Sequence, residues 1–180
     1  MKLFSRIFLA CMIGLPLFAQ AASYSYSTVD LAKCKLSYNY KDEGRAGAIC
    51  PGENGPAGPI QVEVNYGDWE NVNFIYAGKL FLAWKYIVLV GSFTTNVGGN
   101  DQQIKWTKDD SGVLRSIAFQ IDADRDDQRV SKFLVLGVQE SDICYIGTVD
   151  TEEEANVLGE TGACKALLPS APATQSLTSR

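Results

Sequence analysis

The sequence predicts a mainly β domain of the α+β class, built as an antiparallel sheet or a small β-sandwich with one C-terminal helix and two disulfides. Three observations lead to this prediction. Apolar and polar residues alternate from Ile60 to Tyr66, several short apolar runs are separated by turn residues, and four cysteines follow an apolar leader. With 46% apolar and 21% charged residues, the 180-residue chain has the composition of a globular protein.

The N-terminal leader has the organisation of a secretory signal peptide, which covers residues 1–21. Lys2 and Arg6 form a positive start, residues 7–18 are mostly apolar, and Ala19-Gln20-Ala21 supplies small residues for cleavage. The apolar stretch is shorter than the roughly 20 residues that a membrane-spanning helix needs. We therefore expect cleavage after this leader, a periplasmic or secreted protein, and no membrane span in the processed chain.

The rest of the chain is expected to form one β-rich domain over residues 22–168, followed by a disordered tail over residues 169–180. From Pro169 onward, Ser, Ala, Pro and Thr predominate, and such a composition buries too little apolar surface to fold. Without its loose ends the domain has about 140 residues, which suffice for one hydrophobic core.

The chain contains no histidine, and this absence closes several chemistries. A Ser-His-Asp triad, a Cys-His pair, an HExxH zinc site and a histidine pH switch all need an imidazole. Loss of Lys2 and Arg6 with the leader takes the formal net charge from −5 to −7, which argues against nucleic acid and anionic membranes as partners. We expect no catalytic residue, no cofactor and no metal, and a protein or glycan as the partner.

The cysteines predict two disulfides. Cys11 leaves with the leader, and the remaining four cysteines belong to an oxidising compartment, where they form bridges. Of the three pairings that four cysteines allow, we predict Cys34–Cys50 and Cys144–Cys164, because each closes a short local loop. A zinc site is disfavoured, since the chain has neither a CxxC motif nor a histidine.

Local patterns place the strands in order along the chain. Residues 35–40 and 46–50 are expected to pair as a hairpin, with the first disulfide across its strands. Residues 60–66 form the clearest strand, with one buried and one solvated face. Further strands, each bounded by turn residues, are expected over residues 103–108, 113–121, 130–139 and 143–149.

Residues 79–93 are the most ambiguous segment, because apolar side chains would lie on both faces of a strand there. We expect at least Tyr86 to Phe93 to form a central strand. The earlier half fits either a strand or a short helix, and periodicity does not separate the two.

One helix is expected at the C-terminal end of the domain. Asp150 or Thr151 caps it, and Glu152-Glu153-Glu154 places three carboxylates in the first turn, where the helix dipole favours them. The bridge from Cys164 to Cys144 would pin the end of this helix to the preceding strand.

One acidic run begins like a calcium-binding loop: Asp122-Ala-Asp124-Arg-Asp126-Asp127. Its sixth position holds Asp127 in place of glycine, and its twelfth holds Phe133 in place of the bidentate glutamate. A solvated hairpin turn with local hydrogen bonds is therefore the preferred interpretation.

Two further groups of residues are candidate sites. Asp68 and Glu70, on either side of Trp69, would suit sugar hydrolysis if the two acids faced each other in space. Most aromatic side chains of a sheet protein belong to its core, but an exposed subset can bind a partner. We take Trp69, Tyr76 and Trp106 as the candidate partner-binding residues.

Several short motifs are spread over most of the processed chain. They are Leu31-x-x-Cys34, Cys50-Pro51-Gly52, Tyr66-Gly67, Ile104-x-Trp106 and Cys144-Tyr-Ile-Gly-x-Val-Asp150, followed by a helix and Cys164. Together they resemble a family of small secreted or periplasmic two-disulfide proteins of proteobacteria with no assigned activity. The resemblance implies an exported two-disulfide domain, and it carries over no catalytic residues.

The leading functional hypothesis is a non-enzymatic binding or inhibitor domain that recognises a cationic protein, such as a cationic hydrolase, through electrostatic steering. The alternative is a carboxylate-based glycan hydrolase of the cell envelope. The two hypotheses differ in geometry, because the hydrolase needs a concave cleft in which two acids face each other.

Overall fold

The computed structural model describes residues 22–40, 45–67, 71–91, 93–95, 102–161, 164 and 174–176. Over these residues the predicted fold class is confirmed: two antiparallel sheets pack face to face, and one C-terminal helix covers the outer face of one sheet. Among the described helices, none is long and apolar enough to cross a membrane.

The elements follow one another as short strands with two helices between them. In chain order they are β1 (Ser23–Thr28), a 3₁₀ turn (Leu31–Lys33), β2 (Lys35–Tyr40), β3 (Arg45–Gly55), β4 (Gly58–Gly67), β5 (Asn71–Tyr76), β6 (Lys79–Phe81), α1 (Trp84–Ile87), β7 (Phe93–Thr95), β8 (Gln103–Lys108), β9 (Leu114–Arg125), β10 (Gln128–Val138), β11 (Ile143–Val149), α2 (Glu152–Thr161) and β12 (Thr174–Ser176).

Two sheets divide these strands between them. Sheet A has the order β1-β8-β9-β10-β11, with β7 also paired to β9, and sheet B has the order β12-β6-β5-β4-β3-β2. Strands β7 and β8 lie end to end along the same edge of β9, because Thr95 pairs with Asp122 and Ile104 pairs with Phe119. This arrangement brings the start of β8 to the middle of β9.

The inner faces of the two sheets form the main core. In β4 the predicted alternation is confirmed, since Ile60, Val62 and Val64 are buried while Gln61 is exposed. Aromatic rings join the sheets: Phe74 of sheet B makes an edge contact with Trp106 of sheet A, with 6.4 Å between ring centroids.

The outer face of sheet A carries a second, smaller core under α2. Ala118, Val135, Ile146 and Ala155 are buried there. The predicted helix and its cap are confirmed. The amide of Glu154 donates to Thr151 Oγ1 at 3.2 Å while the Glu154 carboxylate accepts from the amide of Thr151 at 3.1 Å, which is a capping box.

The helix α2 approaches β9 most closely at Gly159. A methyl group at that position would lie 2.4 Å from Ser116 Oγ, and Ser116 is fully buried. The Ser116 hydroxyl has no hydrogen-bond partner among the described residues. Gly159 is therefore required by the close contact between helix and strand, although it weakens the helix itself.

This contact gives a testable coupling. Ser116→Ala should raise the free energy of unfolding by about 1 kcal/mol, because it removes a buried hydroxyl without a partner. Gly159→Ala alone should lower it by about 1–3 kcal/mol through overpacking. In the Ser116→Ala background the same change should cost less, since alanine then adds about 1 kcal/mol of helix propensity. Urea denaturation of the four proteins measures the cycle, and strictly additive energies would contradict the contact.

Both predicted disulfides are confirmed. Cys34 is joined to Cys50 with 4.3 Å between their Cα atoms, and Cys144 is joined to Cys164 with 5.7 Å between theirs. The first bridge ties the start of β2 to β3, and the second ties β11 to the chain beyond α2. Each bridge therefore links two segments that are separate in sequence, one pair in sheet B and one pair beside sheet A.

The acidic run from Asp122 to Asp127 forms the end of the β9–β10 hairpin, which confirms its interpretation as a turn. Asp126 and Asp127 are the two turn residues and have positive φ angles of 51° and 59°. Two-residue turns with positive φ at both positions match the twist of the flanking strands. Within the described residues, no three His, Cys, Asp or Glu side chains are grouped closely enough to hold a metal ion.

The expected central strand from Tyr86 to Phe93 is wrong. The described residues of this segment form the end of α1 and a following turn, and the strand β7 begins at Phe93. Buried Ala83, Ile87 and Val90 are spaced as on one face of a helix, while Val88 is exposed. A short apolar run has both periodicities, and packing of this helical face against the sandwich core decides between them.

Of the predicted tail over residues 169–180, the structure describes only residues 174–176, so the prediction of a disordered tail stays a prediction. Residues 174–176 form β12, which pairs with β6 at the edge of sheet B. A strand at a sheet edge is held by backbone hydrogen bonds, which Ser and Thr provide as well as apolar residues do. The leader, residues 1–21, lies outside the described residues.

Candidate functional site

The candidate partner-binding residues are placed mainly in the core. Trp106 is fully buried, and its indole N–H donates to Ser27 Oγ at 2.7 Å. Tyr76 is also buried: its hydroxyl accepts from the Ala57 amide at 2.7 Å and donates to the Glu140 carbonyl at 3.0 Å. Both side chains are buried because their rings fill the space between the sheets, and their role in partner binding stays a prediction.

The remaining candidates near Trp69 are not covered by the structure. Trp69, Asp68 and Glu70 all lie outside the described residues. The acid pair predicted there stays a prediction.

A pocket of about 400 Å³ opens on the outer face of sheet A, beside the first turn of α2. We call it the α2 pocket. Ala118 and Phe133, from β9 and β10, contribute apolar lining. The polar residues that line it are Tyr26, Gln102, Gln103, Lys105, Gln120, Asp122 and Glu152.

Strand alternation explains why these residues share one face. In β8, Ile104 and Trp106 point into the core, so Gln103 and Lys105 point outward. Lys105 pairs with Ala118 across the ladder, and the small alanine leaves space above the sheet. The α2 pocket therefore arises where long polar side chains surround small Ala118 at the border of the core under α2.

Lys105 is the most deeply buried charge in the pocket, with its side chain only 7% exposed. Its ammonium donates to Glu152 Oε1 at 2.8 Å and to Asn156 Oδ1, both on α2. It also lies 4.3 Å from the ring centroid of Tyr24 and 5.3 Å from that of Tyr26, at cation–π distance. The positive charge of Lys105 is thus stabilised by the Glu152 carboxylate, the Asn156 amide oxygen and two tyrosine rings.

Glu152 is held in its ionised form. It accepts from Lys105 and, at 2.7 Å, from the Tyr26 hydroxyl. The hydrogen bond from Lys105, followed by that from Tyr26, lowers the pKa of the Glu152 carboxyl below its ordinary value. Tyr26 therefore connects β1 to the first turn of α2 and orders that wall of the pocket.

Asp122 lies on the β9 side of the pocket and is 9% exposed. Its Oδ1 accepts from Gln120 Nε2 at 3.0 Å and from Ser131 Oγ. Its Oδ2 lies 3.8 Å from the Arg129 guanidinium. Both carboxylates of the pocket consequently have a protein cation beside them.

Gln102 is the exceptional residue of the pocket. It is only 6% exposed, and its Nε2 donates to the Gln103 carbonyl at 3.1 Å. Its Oε1 has no hydrogen-bond partner among the described residues. A buried acceptor left in this state costs about 1–3 kcal/mol, and native proteins contain few of them. Oε1 is therefore a buried acceptor that the surrounding protein encloses.

Sequence reasoning missed this site. A signal was present in β8, because the alternation around Trp106 already placed Gln103 and Lys105 on the face opposite the core. No local pattern gives the burial of Gln102 or the approach of Glu152, because both depend on how β8 and α2 pack on sheet A.

Comparison of the chain with protein-family models, curated proteins and solved structures finds no match. The resemblance to secreted two-disulfide proteins therefore stays a prediction. Function has to be argued from the geometry of the α2 pocket.

Proposed function

We propose that this protein is a non-enzymatic binding domain that works outside the cytoplasm and binds its ligand in the α2 pocket. Export is supported by the two disulfides, which persist in oxidising compartments, and by the signal-like leader in residues 1–21. The periplasm or the extracellular space is accordingly the expected location.

The observation that carries this proposal is the preformed α2 pocket, a concave site lined by both polar and apolar side chains. Ligand sites are concave, largely preformed, and contain a few polar groups that orient the ligand. The residues around Gln102 are fixed by strands and by the Lys105–Glu152 pair, so the site is ordered before a ligand arrives.

A carboxylate-based glycan hydrolase is the second candidate, and one observation favours it: Asp122 and Glu152 line the same pocket. Such an enzyme needs one carboxyl with a raised pKa as its general acid. Lys105 lowers the pKa of Glu152 instead, and Asp122 accepts hydrogen bonds from Gln120 and Ser131. This electrostatic arrangement supports binding better than it supports catalysis.

The same binding domain could instead recognise a cationic protein through its exposed acidic residues. The chain carries a formal charge of −5, and Asp150, Glu153 and Glu154, which neighbour the pocket residue Glu152 in sequence, are exposed. Exposed acids of this kind steer cationic partners and speed their association at low ionic strength. Binding through them would weaken as salt is added.

Amide NMR of the isotope-labelled, processed protein tests the proposed function. We expect an extract of the cell envelope to shift the resonances of pocket residues, above all the Gln102 side-chain amide and the Lys105 backbone amide. Gln61, on sheet B, serves as the internal control and should not move. Spectra that stay unchanged, or shifts confined to sheet B, would count against the α2 pocket as the binding site.

A second addition at high salt separates the two forms of binding. Shifts that vanish with salt indicate an ionic partner at these exposed acids, whereas shifts that persist indicate a ligand held inside the pocket.

A further inference from the structure

Strand β1 forms one edge of sheet A. Among the described residues it pairs only with β8, so the backbone groups on its other side face no neighbouring strand there. Natural proteins protect such edges with charges, prolines, bulges or very short strands. β1 has six residues, Ser23-Tyr-Ser-Tyr-Ser-Thr28, without a charge, a proline or a shift in its register to β8. The edge is therefore open to a further strand.

The register of β1 on β8 decides which backbone groups face this open edge. The Val29 amide donates to the Gln102 carbonyl at 2.9 Å, and this pair continues the β1–β8 ladder by one step beyond Thr28. Because hydrogen-bonded pairs alternate along an antiparallel ladder, the three serines of β1 bond to β8. Its two tyrosines and Thr28 consequently turn their amides and carbonyls toward the open edge.

The sequence of β1 reads the same in both directions from Ser23 to Ser27. If two copies pair antiparallel about a two-fold axis at Ser25, Tyr24 of each copy lies opposite Tyr26 of the other. The outward amides and carbonyls of these tyrosines then form hydrogen-bonded pairs, and Ser25 lies in a non-hydrogen-bonded pair on the axis. The register that matches the side chains thus also matches the backbone.

The side chains of β1 suit a second copy of the same strand. Tyr24 and Tyr26 are 39% and 56% exposed, and their hydroxyls donate to Glu160 and Glu152 of α2, which places both rings on the outer face of sheet A. Aromatic pairs across neighbouring strands stabilise a sheet, and like charges directly opposite destabilise it. Although the chain is acidic overall, the uncharged β1 sets no like charges opposite each other.

We infer that two copies of the processed chain associate by antiparallel pairing of their β1 strands, with the two-fold axis at Ser25. The contact uses the same patch on both copies, so it closes at a dimer. Its axis is perpendicular to the joined sheet, and both α2 pockets therefore open on the same face. Two pockets held side by side give a ligand with repeated epitopes a higher overall affinity than one pocket does.

Sedimentation equilibrium of the processed wild-type protein tests the association. Between about 10 μM and about 1 mM protein, the weight-average mass should rise from one chain toward two. A mass that stays at one chain, or one that continues to rise beyond two, overturns the inference.

Two double variants test the register. Tyr24→Lys with Tyr26→Glu places opposite charges across both tyrosine pairs, whereas Tyr24→Lys with Tyr26→Lys places like charges there. Both remove the same rings, so their comparison isolates the facing charges. At low salt we expect the second variant to dimerise at least about tenfold more weakly than the first. Equal affinities overturn the register.

Ser25→Cys supplies a check that removes no ring and stands even if the charged variants fail to fold. The two introduced thiols would lie in a non-hydrogen-bonded pair with about 4.5 Å between Cα atoms, which a disulfide can bridge. Ser23→Cys is the matched control, because its two copies would lie about 13 Å apart along the ladder.

Under mild oxidation, Ser25→Cys should give a crosslinked dimer on a non-reducing gel, and Ser23→Cys should not. Equal crosslinking of the two variants overturns the inference. A crosslink from Ser25→Cys to a different protein of a cell-envelope extract, without one to its own copy, would identify another occupant of the edge and likewise overturn it.

Discussion

Replacing Trp106 by alanine should lower the free energy of unfolding by about 3–5 kcal/mol, the usual cost of emptying a large aromatic site in a core. Trp106 is fully buried, meets the Phe74 ring edge-on, and donates to Ser27 on β1. A methyl group at Gly52 would lie only 2.8 Å from the Trp106 ring, so the backbone of β3 is packed directly against the indole. Alanine would leave a cavity that these rigid strands cannot close.

Urea denaturation measures this loss, and Trp84→Ala is the matched control. Trp84 is 41% exposed on α1, so its removal should cost less than about 1 kcal/mol. Similar losses for the two tryptophans would mean that Trp106 is not the centre of the sandwich core.

Removing either disulfide should have the second-largest effect. Cys34→Ser with Cys50→Ser opens a loop with a sequence separation of 16, and Cys144→Ser with Cys164→Ser opens one of 20. Chain-entropy arguments give about 3 kcal/mol for closing loops of this size, so each double variant should unfold at a clearly lower urea concentration.

The same prediction has a chemical check. Peptide mapping without reduction should recover Cys34 joined to Cys50 and Cys144 joined to Cys164, while a peptide that links Cys34 to Cys144 would refute the pairing. If removal of a bridge leaves the urea midpoint unchanged, the bridged elements are held together by packing alone. Since the two bridges lie in different sheets, we expect their effects to add.

Much of the fold follows from patterns that act over a few residues. The alternation in Ile60–Tyr66 predicted β4, and short loops predicted both disulfides. A cap at Asp150 or Thr151, followed by three glutamates, predicted the start of α2. Each of these features depends on residues that are close together in sequence, and the tertiary contacts did not alter them.

The prediction failed where one short apolar run fitted two structures. Tyr86 to Phe93 is apolar enough for a central strand, but Ala83, Ile87 and Val90 bury one side of a helical turn. Tyr86 stacks on Tyr145 with 4.4 Å between ring centroids, a contact with a residue 59 positions away in the chain. Packing of this kind stabilises a four-residue helix that its own local preference would not hold.

For the candidate site, alternation puts Trp106 and Lys105 on opposite faces of β8 but does not say which face is buried. The sequence marks Trp106 as a candidate partner-binding residue, and the tertiary structure buries it. Strand register was needed to set Lys105 opposite Ala118, and the position of α2 was needed to bring Glu152 within 2.8 Å of it.

Class, capping and disulfide pairing were thus readable from the chain because they arise from periodicity and short-range closure. The burial of Gln102 and the existence of the α2 pocket arise from contacts between segments far apart in sequence, such as Tyr26 with Glu152. Their formation is a property of the packed sandwich and helix together, since a buried, unpaired acceptor is unfavourable locally and persists only when the surrounding structure holds it in place.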